Sequence, residues 1–170
     1  MKAIVIYQSK TGFTKRYAEW IAVALGCEAK AWKDAQSMSL ADYDTLIYGG
    51  WFHAGSIVGL KKFLRKAEPL GKKLAVFAVG AGPAESPDIE SSLRRNFTGE
   101  QYSRIPAFYM PGGLNYEKMG AVDKAMMAVF RAMVKKQEGE NSQMYQMLCK
   151  SYDLADEKYI EPLVEACRGM

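Results

Sequence analysis

The sequence predicts an α/β fold in which a parallel sheet is wrapped by crossover helices, and two observations support this class. Short β-branched or apolar runs alternate with segments whose apolar residues recur at helical spacing, which is typical of parallel strands joined by helices. The chain has 170 residues, of which 49% are hydrophobic, and this size and composition are typical of one globular domain. We therefore expect a single domain over residues 1–170 with five strands.

The first strand and the first helix give the clearest signal. An apolar run, Ala3–Tyr7, forms the predicted first strand. A helix pattern follows and ends at Gly26, because glycine commonly closes helices. The residues that recur at helical spacing are Thr14, Ala18, Ile21, Ala22 and Leu25.

Four further strands are predicted at residues 28–32, 45–48, 74–79 and 105–109. Each is a short apolar or β-branched run, and the run at 28–32 is the weakest of them. Between the third and fourth strands, one helix face is indicated by Leu60, Phe63, Leu64 and Ala67.

Two more helices are expected from their start signals. Ser86, Pro87 and Asp88 supply an N-cap, a first-turn proline and a first-turn acid for a helix before the fifth strand. The last helix contains Pro162 within its apolar pattern. This proline requires either a kink or a late helix start near Tyr159, and both alternatives remain open.

One segment departs from the simple alternation. Residues 121–136 form a helical pattern rich in methionine, followed by a polar stretch at 137–142, and we expect a helical insertion at about 115–150. Six of the ten methionines lie between Met119 and Met147. Flexible thioethers suit an irregular core, which we favour, or an adaptable binding surface.

The charge balance is mildly basic, with 23 Lys and Arg against 19 Asp and Glu and a net charge of +4. A solvated helix face is the commoner meaning of a local cluster of basic residues, and a docking patch is the alternative. Basic residues without a recognised module do not predict nucleic-acid binding. The clustered residues are Lys61, Lys62, Arg65, Lys66, Lys72 and Lys73.

Several protein classes are disfavoured by the pattern of apolar residues and cysteines. The apolar runs are far shorter than the about 20 residues that cross a bilayer. The N-terminus leads directly into a strand pattern instead of a signal sequence, so we expect a cytoplasmic protein. Cys27, Cys149 and Cys167 are too few and too scattered for a disulfide framework or a zinc site, and we predict no metal.

A phosphate-binding loop is predicted between the first strand and the first helix. The main-chain N–H groups at a helix N-terminus are unpaired and carry the positive end of the helix dipole, so they can hold a dianion. Hydroxyl groups add donors, and a glycine permits close approach of the backbone. The residues of this loop are Ser9, Lys10, Thr11, Gly12, Phe13 and Thr14.

Other nucleotide and catalytic motifs fail. Gly80 and Gly82 begin a G-x-G pattern, but Glu85 stands where the third glycine of a dinucleotide fingerprint belongs. The sequence has no G-x-x-x-x-G-K-[ST] motif and no hydrolase nucleophile motif. We therefore assign no catalytic residue.

Residues 5–21, Val-Ile-Tyr-Gln-Ser-Lys-Thr-Gly-Phe-Thr-Lys-Arg-Tyr-Ala-Glu-Trp-Ile, resemble the phosphate-loop signature of the flavodoxins. The resemblance implies a three-layer fold with helices on both faces of a five-stranded parallel sheet of order 2-1-3-4-5. It also implies that FMN is the cofactor and that residues 9–14 hold its phosphate.

The second and third loops lie at the carboxyl ends of the third and fourth strands, where ligands bind in open α/β sheets. In flavodoxins these loops contact the isoalloxazine ring, by aromatic stacking and by main-chain groups. The second loop comprises Gly50, Trp51, Phe52, His53, Ala54 and Gly55, and the third comprises Gly80, Ala81, Gly82 and Pro83.

Beyond residue 100 the chain resembles a narrower group. The segment at 104–116 and the methionine-rich helix after it are similar to flavodoxin-domain proteins that include the quinone-dependent protoporphyrinogen dehydrogenases. This likeness carries no distinctive catalytic motif.

Three functions follow from the sequence and its resemblances. The first is an electron carrier with a non-covalently bound FMN, which serves a redox partner protein. The second is a flavin-dependent dehydrogenase or quinone reductase that acts on a quinone or porphyrinogen-type molecule, with the insertion as a wall, a lid or a peripheral membrane contact. The third is a binding module that has lost its cofactor. The oligomeric state stays open.

Overall fold

A five-stranded parallel sheet forms the centre of the protein. The structure is a computed structural model that describes residues 2–170, so Met1, the first residue of the predicted domain, lies outside the described residues. The strand order is β2-β1-β3-β5-β6, and a short β4 pairs antiparallel with β3. The predicted order of five parallel strands is confirmed, since only β4 changes the numbering. The strands are β1 Ala3–Tyr7, β2 Glu28–Ala31, β3 Thr45–His53, β4 Ser56–Ile57, β5 Lys73–Gly80 and β6 Ala107–Pro111.

Helices cover both faces of the sheet, and a small separate ribbon joins β7 Gly113–Leu114 to β8 Tyr152–Asp153. The helices are α1 Phe13–Leu25, α2 Trp32–Ala35, α3 Leu60–Ala67, α4 Ile89–Arg94, α5 Gly99–Arg104, α6 Ala121–Glu138, α7 Gln143–Leu148 and α8 Glu161–Gly169.

The core consists of two layers because successive side chains of a strand point to opposite faces. Ile4 and Ile6 of β1 join the layer beneath α3, where Phe63 is fully buried. Val5 joins the opposite layer, which α1 and α8 cover. The sheet and its two helical layers confirm the three-layer fold class.

β3 is longer than predicted and continues through Trp51, Phe52 and His53 into a hairpin with β4. The turn residues Ala54 and Gly55 have φ values of 48° and 79°. Positive φ at both central residues is typical of the two-residue type I′ turn, which matches the twist of the paired strands. The second predicted loop is therefore the end of a strand and a tight turn.

The helix start predicted at Ser86 is wrong. Ser86 Oγ donates a hydrogen bond of 2.9 Å to the Pro83 carbonyl in a turn, and α4 begins later, at Ile89. A further helix, α5, was not predicted; its capping box joins Thr98 and Gln101. Such a box satisfies two unpaired N–H groups at a helix N-terminus.

Three other boundaries differ in detail. Trp32 begins α2 instead of ending β2, and β6 lies at residues 107–111 instead of 105–109. Pro162 stands in the first turn of α8, after a 3₁₀ turn at Glu157–Ile160, so the late start is correct. Proline is tolerated there because the first N–H groups of a helix have no partner within the helix. Gly26 ends α1 in the left-handed conformation, as predicted.

The insertion contains α6 and α7 and has its own small apolar cluster. Leu114, Val134 and Leu148 are its buried members, each at most 6% exposed. β7 and β8 pair where the insertion leaves and rejoins the main fold. This part of the chain is thus packed around a centre separate from the two main core layers.

None of the helices in residues 2–170 has the length and apolar character needed to cross a membrane. In the same part of the chain, acidic, histidine and cysteine side chains form no cluster of three or more that could hold a metal ion.

Candidate functional site

The carboxyl ends of β1, β3 and β5 surround a cavity of about 210 Å³. Nine predicted site residues from all three loops line this cavity: Lys10, Thr11, Phe13, Thr14, Trp51, Phe52, His53, Gly80 and Ala81. The remaining predicted residues lie around these without lining it: Ser9, Gly12, Gly50, Ala54, Gly55, Gly82 and Pro83. The fold thus brings the three predicted loops to one place.

The phosphate loop, residues 9–14, presents the bare N-terminus of α1. Gly12 is the N-cap residue, with a φ of 104° that favours glycine, and no side chain caps the helix. The first turn of α1 contains no acidic residue. The first N–H groups of this helix are therefore free of a side-chain anion and can receive an external one.

Two hydroxyl residues of the phosphate loop are turned inward. Ser9 Oγ is buried and has no hydrogen-bond partner among residues 2–170. Thr14 is only 2% exposed and lines the cavity. A buried hydroxyl group without a partner is costly, so the loop is suited to a ligand that supplies hydrogen-bond acceptors.

A second, polar cavity of about 370 Å³ lies beside the phosphate loop. It shares Thr11, Phe13 and Leu114 with the first cavity and adds Arg16 and Lys118. The two cavities together reach the size of typical ligand pockets, about 300–1,000 Å³.

The aromatic residues of the second loop differ in exposure. Trp51 and Phe52 are partly buried and His53 is exposed, while the Phe52 ring lies 6.1 Å from the Tyr109 ring, centroid to centroid. The hairpin is attached to the segment that follows α4 by Asn96, which accepts a hydrogen bond from the Ile57 N–H at 2.7 Å and donates one to the Gly55 carbonyl at 3.0 Å.

Two tyrosines that sequence reasoning missed hold the third loop. Tyr109 donates a hydrogen bond of 2.7 Å to the Gly82 carbonyl, and Tyr152 donates one of 2.9 Å to the Ala81 carbonyl. Burial raises the pKa of both phenols above the ordinary value, so both remain protonated donors at neutral pH. No local motif links these positions to the loop, because they are brought there by β6 and β8.

The insertion supplies one side of the first cavity. Its methionine wall consists of Met119, Met126 and Met127. Asp123 lies beside this wall and forms an ion pair with Lys10 of the phosphate loop at 2.5 Å. The methionine-rich composition of this segment was the only sequence signal for the wall. From that composition we favoured packing in a core over a binding surface. The other lining residues that were not predicted are Val79, Gly113 and Leu114.

The family of the chain follows from its similarity to known protein families. A family model described as a flavodoxin domain matches residues 4–141. The chain belongs to the flavodoxin domain family. Among curated protein sequences, none matches this flavodoxin domain.

Solved flavodoxin-like structures resemble this flavodoxin domain only weakly. An archaeal flavodoxin is 20% identical, with a TM-score of 0.46, and the match covers 69% of this chain and 88% of that chain. A flavoprotein from Lactobacillus acidophilus, solved in complex with FMN, is 18% identical with a TM-score of 0.47, covering 65% and 91%. A WrbA-like flavodoxin from Agrobacterium tumefaciens is 18% identical with a TM-score of 0.46, covering 83% and 99%. The family assignment rests on the family model.

The basic cluster of this flavodoxin domain is divided between two ends of the molecule. Lys61 and Lys62 are exposed in the first turn of α3, on the side of the sheet edge that carries the site. Lys72 and Lys73 stand at the start of β5, at the opposite edge. Lys66 is turned toward α2 and donates a hydrogen bond of 2.8 Å to the Gln36 carbonyl. The cluster therefore does not form one continuous patch.

Proposed function

We propose that this flavodoxin domain binds FMN without a covalent bond and transfers electrons to and from a redox partner protein. The observation that carries the proposal is the phosphate loop: an uncapped helix N-terminus with a buried, unpartnered Ser9 hydroxyl group beside it. Both features suit the terminal phosphate of a mononucleotide.

The side chains of the first cavity suit the ring system of the same ligand. Trp51 and Phe52 offer aromatic faces on one side, and the methionine wall offers thioethers on another. Planar aromatic rings pack well against both types of side chain. Ala81, whose carbonyl group is held by Tyr152, supplies main-chain groups at the same cavity.

When bound, FMN supplies the redox chemistry itself, and the protein supplies binding and electrostatics. The N-terminus of α1 would hold the phosphate, and the hydroxyl groups of Ser9, Thr11 and Thr14 would donate to it. Trp51 and the methionine wall would exclude water from the ring. Tyr109 and Tyr152 would keep the third loop in place through their hydrogen bonds to carbonyl groups.

The first test is retention of FMN by the purified protein after removal of free flavin, with FAD as a parallel sample, read from the flavin absorbance band. We expect FMN to be retained with a perturbed band. Retention of neither flavin at micromolar concentrations would overturn the proposal and favour a binding module without a cofactor.

A charge placed in the phosphate loop gives a sharper test. Thr11→Glu puts a carboxylate beside the proposed phosphate, and we expect FMN affinity to fall at least about 100-fold because like charges then share a desolvated site. Ser103→Glu on exposed α5 adds the same charge outside the site and serves as the matched control. Equal affinity in both variants would place the ligand elsewhere.

The methionine wall favours a second candidate, a flavin-dependent dehydrogenase or quinone reductase for a planar apolar substrate such as a quinone or a porphyrinogen. Replacing Met119 and Met127 together with alanine would then lower turnover of a soluble quinone while FMN remains bound. Met144→Ala on exposed α7 is the control. Unchanged turnover, or no turnover in the parent protein, would leave the electron carrier as the function.

The redox partner, the cytoplasmic location and the single-domain organisation stay predictions. A redox titration of the FMN-loaded protein would report the potential and the number of electrons taken up in each step, which restricts the class of partner.

A further inference from the structure

Helix α6 exposes an unusual amount of apolar surface. Seven large apolar side chains are exposed among residues 2–170, and five of them lie on this helix. They form the apolar stripe, whose members are Val122, 73% exposed, Met126, 47%, Val129, 72%, Phe130, 38%, and Met133, 47%. Contiguous apolar surface of this kind marks an interaction site more often than isolated apolar residues do.

The stripe has the spacing of a helix-pairing seam. Val122, Met126, Val129 and Met133 are separated by four, three and four residues, the alternation of the a and d positions in a coiled coil. Over the helical rise of about 1.5 Å per residue, this seam is about 17 Å long. The other face of α6, which includes Met127 and Val134, already packs in the insertion's own apolar cluster. The seam is thus free to receive another helix.

The seam is complementary to itself when two copies of α6 run antiparallel. Val122 then faces Met133 of the second copy, and Met126 faces Val129. Every layer pairs a β-branched side chain with a long flexible one, and small residues, Ala125 and Ala132, border the seam on one side. A two-fold axis that generates such mutual contacts gives the commonest symmetry of soluble oligomers.

The charges of α6 also favour the antiparallel arrangement. Asp123 in the first turn is paired with Lys10, and Lys135 in the last turn is paired with Glu140, which leaves Lys136 as the lysine of the last turn without an ion pair among residues 2–170. A parallel pair would bring the two Lys136 side chains together, whereas an antiparallel pair places them at opposite ends of the seam. Antiparallel helix dipoles add to this preference.

The cations of α6 are less suited to a lipid surface. Lys135 forms an ion pair with Glu140, and the Arg131 guanidinium lies 5.4 Å from the centroid of the Tyr116 ring. An interfacial helix needs free basic residues beside its apolar face to contact anionic headgroups. Lys124 lies close enough to Glu117 for its charge to help lower the pKa of that carboxyl, after the hydrogen bond from Ser151 that is the main cause.

We propose that the apolar stripe of α6 is a homodimer interface, in which α6 packs antiparallel against α6 of a second copy of this chain. Met126 belongs both to the stripe and to the lining of the candidate site, so the second copy lies beside the opening of that site. The proposal does not depend on FMN binding, because the mass of the protein is measured without any cofactor.

The experiment is sedimentation equilibrium of the full chain over about 1–500 µM, the range in which a short seam is expected to associate. We expect a mass rising from 19.0 kDa toward twice that value. Val129→Lys, or Met133→Lys as a second variant, should remain a monomer throughout. Val23→Lys changes the exposed valine of α1, 80% exposed, and should dimerise like the parent. Circular dichroism confirms that each variant is folded.

Cross-linking tests the orientation in a Cys149→Ser background, which removes the exposed native thiol. A mixture of Val122→Cys and Met133→Cys proteins should form disulfide-linked dimers under mild oxidation, and each protein alone should form far fewer. A parent that stays monomeric, a Val129→Lys variant that still dimerises, or cross-linking by Val122→Cys alone would overturn the proposal. So would a monomer that sediments with anionic phospholipid vesicles, since the stripe would then be a membrane contact.

Discussion

Tyr17 shows how one buried side chain joins distant parts of this fold. Its hydroxyl group donates a hydrogen bond of 2.6 Å to the Pro111 carbonyl at the end of β6 and accepts one of 3.2 Å from the Asp156 N–H. Burial raises its pKa to about 12. The phenol therefore stays neutral in the folded protein under conditions that ionise it in the unfolded chain.

This shift predicts a specific loss of stability in alkali. Because the folded pKa lies above the ordinary value of about 10, the contribution of Tyr17 is complete below about pH 10 and is lost as the pH rises toward about 12. The free energy of unfolding of Tyr17→Phe should thus fall less steeply over this range than that of the parent. Urea denaturation at a series of pH values measures both slopes, and equal slopes would contradict the assigned cause.

Tyr152 gives a second prediction at this scale. Tyr152→Phe removes one hydrogen bond to the Ala81 carbonyl and should cost about 1 kcal/mol of stability. It should also weaken FMN binding, since the third loop loses a tether. Tyr7→Phe is the control, because the Tyr7 hydroxyl has no hydrogen bond within the described residues 2–170. Equal FMN affinity in the two variants would show that the tether does not position the loop.

At the scale of single elements, the β3–β4 hairpin contains a residue in an unfavourable conformation. Ala54 has a φ of 48°, a value that asparagine and glycine adopt far more readily. Ala54→Asn should therefore stabilise the protein by up to about 1 kcal/mol. Thermal unfolding measures the change. Ala125→Gly on exposed α6 is the contrasting variant and should destabilise by about 1 kcal/mol.

The hairpin also shows what local patterns could and could not predict. Residues 45–48 were correctly assigned to a strand, but Gly49 and Gly50 after them were interpreted as the end of that strand. In the structure, Gly49 is needed because a Cβ atom there would collide with the Phe77 ring of β5. That requirement depends on a residue 28 positions away in the chain, so no short window of sequence reveals it. The phosphate loop consists of the consecutive residues 9–14, so a short window of sequence was enough to propose all of it, and its role in binding a phosphate stays a prediction.

On the scale of the whole molecule, the insertion is expected to unfold independently of the sheet. Its cluster around Val134 is separate from the two main core layers. Val134→Ala should cost about 1–3 kcal/mol locally and speed amide hydrogen exchange in α6 and α7. Exchange in β5, an interior strand of the sheet, should be unchanged. Faster exchange in β5 as well would show that the two parts unfold as one unit.

The overall architecture was predictable because the alternation of strands and helices extends over the whole chain. The tertiary role of the insertion was not predictable from that alternation. Met127 packs inside the insertion cluster and lines the candidate site, whereas Met133, on a different face of the same helix, is 47% exposed. The helical pattern separates these two faces, but only the fold determines which of them is buried.

The ion pair between Lys10 and Asp123 links the phosphate loop to α6. An anion bound at the loop competes with Asp123 for the lysine, so we expect its arrival to loosen the first turn of α6. Binding equilibria are reciprocal. If an anion at the loop lowers the equilibrium constant for the docked position of α6, then docking of α6 must lower the affinity of the loop for that anion by the same factor. Ligand occupancy and the position of the insertion are therefore two measures of one coupled equilibrium.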